Sequence, residues 1–183
     1  MQSPNLQETV RKIREVTSTG IVNLNSNASR PIQLKGLFEV GLNSLRISTN
    51  SARGNVYTAY YRPTTYSFES VRESARVARA AGAYLMLNYF VFPGVTDTAE
   101  ELEALSEWIS EADINMIQLR NLNMDPEVYL ETVGDAGHEV QAMGILPWLT
   151  ELRRRFPRLR FGYFNPPQKR FSEAPSLLVG QSG

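Results

Sequence analysis

The chain has 183 residues, with 19 lysines and arginines against 19 aspartates and glutamates, and it is 42% hydrophobic. This apolar content at zero net charge excludes a disordered chain and fits one globular domain. The charge balance argues against nucleic acid as a partner, and no apolar run reaches the roughly 18 residues of a membrane helix. Because no basic and apolar leader opens the sequence, we expect a cytoplasmic protein.

The sequence contains no cysteine. Disulfides, thiolate zinc sites, thiol nucleophiles and cysteine-held iron–sulfur clusters are therefore excluded within these residues. We expect no metal site in this chain.

The first half of the chain predicts three helices, each followed by a glycine and then by a strand. The helices are predicted over 6–16, 32–40 and 68–81, and the strands over 21–25, 44–49 and 84–92. Apolar residues recur at helical spacing in the predicted helices, and β-forming residues dominate the predicted strands. Gly20, Gly41 and Gly82 stand where a left-handed residue ends a helix.

The second half continues the alternation. A helix is predicted over 97–111, with Asp97 or Thr98 as its cap, and a strand over 114–120. A looser stretch includes the Asp125–Pro126 pair and residues 134–144, and it precedes a helix over 145–156 and a strand over 159–164. Residues 168–183 are rich in proline, serine and glycine and are predicted to form a flexible tail.

Alternating helices and strands imply parallel strands joined by right-handed crossovers. A complete eight-fold barrel needs about 250 residues, more than this chain has. We therefore predict an α/β fold, a partial TIM-like barrel of five parallel strands with helices on the outer face, over residues 1–167.

Polar side chains occupy one face of each predicted strand, since strand residues alternate between faces. The polar positions are Asn23, Asn25 and Asn27 in the first strand, Arg46, Ser48 and Asn50 in the second, Asn88 in the third, and Gln118 and Arg120 in the fourth. A buried polar group without a partner costs roughly 1–3 kcal/mol, so this face is expected to hold water or a polar ligand. The alternative is a solvated sheet face with asparagines that form turns.

Arg46 and Arg120 are harder to explain as surface residues, because an inward arginine usually pairs with a carboxylate or another anion. The predicted strands offer no inward carboxylate. This favours an anionic group on the ligand.

Other conspicuous residues have simpler explanations. Glu100, Glu101 and Glu103 lie in a first helical turn, where acids favour the helix dipole. His138 is the only histidine and stands in a loop-like stretch, which is typical of an exposed residue. Tyr60 and Tyr61 are equally compatible with a site wall and with the core.

Six collinear blocks resemble the later part of the radical S-adenosylmethionine (radical SAM) core domain. They are residues 23–29 (NLNSNAS), 41–53 (GLNSLRISTNSAR), 59–63 (AYYRP), 87–97 (LNYFVFPGVTD), 116–126 (MIQLRNLNMDP) and 161–167 (FGYFNPP). The resemblance implies a partial barrel whose full-length members hold a [4Fe-4S] cluster through three cysteines after the first strand. This sequence has neither those cysteines nor the Gly-Gly-Glu motif that follows the second strand, so it is interpreted as lacking the first βαβ unit.

The resemblance also implies roles for individual residues. Cofactor contacts with S-adenosylmethionine are carried over to Ser48, Asn50, Arg62, Gly94, Ile117 and Gln118. Asn25, Asn27, Asn88 and Arg120 are expected to line the substrate side, which Gln118 also lines. No catalytic residue is assigned.

Two functions of different classes follow from the sequence. The first is the C-terminal part of a radical SAM core, which supplies the cofactor and substrate cradle but not the cluster ligands and is inactive alone. The second is a non-catalytic half-barrel that binds a partner chain or itself through its open edge. A small TIM-like enzyme acting on an anionic metabolite is a third, weaker interpretation.

Overall fold

The computed structural model describes residues 5–121, 123–137 and 141–162, together with Pro167 and Phe171. In this part of the chain the helices are α1 (Leu6–Val16), α2 (Pro31–Glu39), α3 (Gly54–Tyr61), α4 (Phe68–Ala80), α5 (Ala99–Ala112), α6 (Pro126–Val133) and α7 (Ile145–Arg155). The strands are β1 (Asn23–Ser26), β2 (Ser44–Thr49), β3 (Tyr84–Val91), β4 (Met116–Asn121) and β5 (Arg160–Phe161). None of the helices within the described ranges has the length and apolarity to cross a bilayer.

The five strands form one parallel sheet in the order in which they follow one another along the chain. Right-handed crossovers between successive neighbouring strands place the connecting helices on the same side of the sheet. The predicted α/β fold, an open five-stranded part of a TIM-like barrel with outer helices, is therefore confirmed.

The main core lies between the sheet and these helices. Leu45, Leu87 and Ile117 are fully buried on the helix-covered face, where they pack in one cluster with residues of α1, α2, α4, α5 and α7. Trp108 and Trp148 are buried in the same cluster. This packing fixes the sheet and leaves its other face, here called the inner face, to the alternate side chains of each strand.

Local signals in the sequence set most of the element ends. Gly41 and Gly82 have φ angles of 110° and 68°, so both adopt the positive-φ conformation that glycine tolerates best after a helix. At Gly41 a side chain would also collide with Arg14, whose Nε donates to the Gly41 carbonyl at 2.8 Å. Thr98 caps α5, because its hydroxyl accepts a hydrogen bond from the Glu101 amide at 3.2 Å.

Two helices were not predicted, α3 and α6. Both lie beyond the carboxyl ends of the strands, where Val56, Val95, Tyr129 and Val133 form a second small cluster. The stretch interpreted as loose around Asp125 begins α6, since the Asp125 side chain accepts from the Glu127 and Val128 amides and proline occupies the first turn.

The inner face is not polar throughout, contrary to expectation. Near the strand starts Tyr84, Met86 and Met116 form an apolar patch against which Phe171 packs, and the Tyr84 and Phe171 rings stack at 4.4 Å. The apolar patch gains stability by excluding water, so we do not expect it to bind a polar ligand. Of the predicted tail, 168–183, all but Phe171 lies outside the described residues, as do His138 and residues 163–166 of the last predicted strand.

Candidate functional site

Three polar residues lie side by side across the middle of the inner face. Ser48 pairs with Asn88, and Asn88 pairs with Gln118, in the register of β2, β3 and β4. The Asn88 amide nitrogen donates to the Ser48 hydroxyl at 3.3 Å. We call Asn88 and Gln118 the amide pair.

The amide pair has unused hydrogen-bonding capacity. The side-chain oxygens Asn88 Oδ1 and Gln118 Oε1 are buried, and neither accepts a hydrogen bond within the described part of the chain. Gln118 as a whole is only 4% exposed. A buried acceptor without a donor is costly, so two of them at neighbouring positions indicate a site that a donor group of water or a ligand completes.

Two arginines flank this row on the same face. Arg46 lies toward the strand starts, beside Met86, with a guanidinium nitrogen 3.6 Å from the Met86 sulfur. Arg120 lies toward the strand ends, opposite Phe90. Burial, and then the positive charge of Arg120, lower the pKa of Arg46. Two guanidinium groups on one face of the sheet favour an anion nearby.

A cavity of about 510 Å³ opens at the carboxyl ends of β3 and β4. Its lining combines aromatic and apolar side chains with one cation and two amides: Tyr60, Phe90, Leu119, Arg120, Asn121, Asn123 and Met124. The volume falls within the range of about 300–1,000 Å³ that is usual for small-molecule sites. Parallel α/β proteins bind their ligands at this end of the strands.

Two other predicted cofactor residues lie at the same end but in different settings. Asn50 is 1% exposed, and its amide nitrogen lies 3.3 Å from the Tyr129 hydroxyl of α6, while its Oδ1 accepts no bond in the described ranges. Gly94 has a φ of 84° in the turn after β3, where its amide donates to Asp97 at 2.6 Å. Asn50 therefore links the sheet to α6, and Gly94 shapes the following turn.

The structure does not bring the remaining predicted residues to this row. The Ile117 side chain is fully buried in the helix-covered core, so only its backbone can meet a ligand. Arg62 is exposed at the end of α3. Asn25 is exposed on the edge strand, where it accepts from Asn23, and the Asn27 amide donates to the Tyr66 hydroxyl at 3.4 Å. All four stay predictions as ligand contacts.

Sequence reasoning missed a buried carboxylate at the strand ends. Glu101 is fully buried and accepts hydrogen bonds from the Ser51 hydroxyl, the Ala52 amide at 2.6 Å and the Tyr89 hydroxyl, while its Oε2 lies 3.0 Å from Arg53 Nε. We call Ser51, Arg53, Tyr89 and Glu101 the Glu101 cluster. It fixes the loop after β2 against β3 and α5, and thereby fixes the end of the strand that carries Ser48.

The sequence did contain a signal for this cluster. Glu101 stands four residues before Leu105 and seven before Trp108, which places it on the buried stripe of α5 rather than on its solvent face. An acid on an apolar stripe must be paired to be tolerated. Its position in the first turn is thus not explained by the helix dipole alone.

Within the described residues no group of histidine, aspartate or glutamate side chains is arranged to hold a metal ion. The full sequence also lacks cysteine. The residues present therefore do not fit an iron–sulfur cluster, which thiolates normally ligate.

The fold is similar to that of methylornithine synthase (PylB). The two structures superpose with a TM-score of 0.59 at 19% sequence identity over 87% of this chain. That overlap covers 45% of the PylB chain, so this chain spans less than half the length of the protein it matches. At this identity the likeness shows the fold alone.

A second similar structure is that of TsrM from Kitasatospora setae, a radical S-adenosylmethionine methyltransferase with cobalamin and a [4Fe-4S] cluster bound. Its TM-score is 0.45 at 16% identity, over 64% of this chain and 24% of TsrM, which is too low to support an argument. No protein-family model and no curated protein matches the sequence.

Proposed function

We propose that this chain is the C-terminal part of a radical SAM core, and that its inner face cradles S-adenosylmethionine and substrate. The observation that carries this proposal is the buried amide pair with its two open acceptor oxygens beside Ser48. The resemblance of the six sequence blocks and the PylB-like fold support the same family.

The residues present suit S-adenosylmethionine chemically. Its ammonium group and ribose hydroxyls are donors, which Gln118 Oε1 and Asn50 Oδ1 need within the described ranges. Its carboxylate needs donors or a cation, which Ser48 and Arg46 offer on the same face. We assign Ser48, Asn50 and Gln118 to the cofactor, with Gly94 and the Ile117 backbone near its adenine, and Asn88 and Arg120 to the substrate side.

The iron–sulfur cluster of such enzymes has no ligands here, because this chain supplies no thiolate to hold it. Reductive cleavage of the cofactor would require cluster ligands from residues outside this sequence. We therefore assign cofactor binding, and no redox step, to the residues described here.

The test is direct binding of S-adenosylhomocysteine to the purified chain, measured by isothermal titration calorimetry. Gln118→Met keeps the length of the side chain but removes its acceptor, and we expect it to weaken binding about tenfold, the share of one charge-assisted hydrogen bond. Gln141→Met changes an exposed glutamine in the same way and serves as the control. Equal affinity in both variants, or no binding to the parent chain, would count against the proposal.

A second candidate function is a half-barrel that self-associates without catalysis. Three large apolar side chains of α1 and α2 are exposed: Ile13 at 39%, Val16 at 88% and Ile32 at 83%. Burying these side chains against a second copy would remove apolar surface from water. Light scattering over a range of protein concentrations tests this function, and we expect Val16→Glu to abolish any dimer; a monomer at every concentration would exclude it.

A further inference from the structure

The cavity at the ends of β3 and β4 is chemically unlike the amide pair beside it. Tyr60, Phe90, Leu119 and Met124 give it aromatic and apolar walls, and Arg120 is the one cation among its lining residues. Such a lining suits a molecule with an apolar body and a single anionic end.

Arg120 is available to such an anion. Its side chain is exposed, and in the ranges that the structure describes it takes part in no ion pair or side-chain hydrogen bond. By contrast, Arg72 and Arg76 on α4 both pair with Glu111, and Arg155 pairs with Glu103 and Glu151. A second cation lies nearby, since the charge of Arg120 helps to lower the pKa of Arg46.

Position adds a second constraint. Arg120 follows Gln118 by two residues on the same face of β4, about 7 Å along the strand. Phe90 stands opposite Arg120 and two residues beyond Asn88. A ligand whose anion meets Arg120 therefore lays its body along Phe90 and Tyr60, next to the amide pair but outside it.

We propose that this cavity takes an organic carboxylate with an aromatic or apolar body, and that Arg120 selects it by its charge. As a substrate pocket it rests on the proposed function, since it adjoins the assigned cofactor residues. The chemistry of the pocket itself is independent of that function and can be tested separately.

The experiment compares two probes that differ only in the anionic group, 3-phenylpropionate and 3-phenylpropan-1-ol. Backbone amide shifts of the ¹⁵N-labelled chain report binding even when it is weak. We expect the carboxylate to shift Phe90, Arg120 and Asn121 with a dissociation constant about tenfold lower than that of the alcohol, the share of one charge-assisted contact. Arg120→Gln should bring the two probes to equal affinity, whereas Arg158→Gln, at an exposed arginine before β5, should leave the difference intact.

Equal affinities in the parent chain, no binding of either probe, or shifts that map away from β3 and β4 would overturn the inference. A parallel titration with 5′-methylthioadenosine, which carries the adenosyl group without a carboxylate, separates it from the proposed function. If the adenosyl probe binds and 3-phenylpropionate does not, this inference fails alone. If 3-phenylpropionate binds and the adenosyl probe does not, only the cofactor assignment fails. Competition between 3-phenylpropionate and S-adenosylhomocysteine would show that the anion site belongs to the cofactor and would also overturn the inference.

Discussion

Two polar groups of residues lie on opposite sides of the same sheet, and they differ in how completely they are hydrogen-bonded. In the Glu101 cluster the carboxylate accepts from a hydroxyl, a backbone amide and a phenol and pairs with Arg53, all within the chain. In the amide pair, two buried oxygens lack such donors within the described ranges. The first group faces the helices and the second faces the inner side of the sheet.

This difference separates a structural role from a ligand-binding one. A buried charge is tolerated when its hydrogen bonds are complete, and the network then holds neighbouring elements in one arrangement. An incomplete network lowers stability and tends to persist where function requires it. We therefore assign the Glu101 cluster to holding the loop after β2, and the amide pair to binding.

The largest effect is expected from removing the carboxylate at the centre of the complete network. Glu101→Ala should lower the free energy of unfolding by about 3–5 kcal/mol, because it leaves buried donors and a largely buried cation without their acceptor. Urea unfolding followed by tryptophan fluorescence measures the change. Glu107→Ala, on the exposed face of the same helix, should change stability by no more than about 0.5 kcal/mol. A similar small loss at Glu101 would erase the distinction between the two groups.

An alkaline pH dependence is expected from the same cluster. Complete burial, followed by the charge of Glu101, raises the pKa of Tyr89 well above its ordinary value of 10. Below pH 10 the phenol is protonated in both states and contributes no slope. Above pH 10 the unfolded chain loses this proton while the folded chain keeps it, so the free energy of unfolding falls as the pH rises, by about 1.4 kcal/mol per pH unit for this group.

Tyr89→Phe should remove the part of the pH dependence of the free energy of unfolding that Tyr89 causes, since phenylalanine has no proton to lose. Unfolding in urea at several pH values between 9 and about 11.5 measures it, with far-ultraviolet circular dichroism as the probe. Burial also raises the pKa of Tyr57, so part of the slope should remain in the variant. Identical slopes in the variant and the parent chain would mean that Tyr89 is not sealed from solvent.

The sequence predicted the sheet well because its signals are local and repeated. Strand β2 lies over the predicted residues, and β3 and α4 differ from their predicted bounds by one residue each. Each of these elements has a clear repeat of apolar residues or a glycine near one end. The two missed helices, α3 and α6, are short, and α3 lacks an acid in its first turn and a side-chain cap. The Asp125 cap of α6 was visible in the sequence but was assigned to a loop.

The sequence predicted where the candidate residues lie only where strand alternation decides their position. Ser48, Asn88 and Gln118 share a face and a row because parallel register follows from the period of two. Asn27 and Asn50 lie past the last residues of their strands, where the period ends, and their amide nitrogens contact Tyr66 and Tyr129. These tyrosines are 39 and 79 residues away along the chain. Contacts over such separations depend on how α6 and the segment between α3 and α4 pack, which no local pattern in the sequence specifies.

The smallest effect, and the most discriminating one, is expected at the amide pair. Gln118→Met removes a buried oxygen without a donor and fills the same space with an apolar chain, so stability should hold or rise, by up to about 1 kcal/mol. Thermal and urea unfolding of the variant measure this change beside that of the Gln141→Met control. A loss greater than about 1 kcal/mol would show that the chain itself satisfies this oxygen, and the amide pair would then resemble the Glu101 cluster. Stability retained while S-adenosylhomocysteine binding falls would mean that Gln118 is kept at an energetic cost that only a ligand offsets.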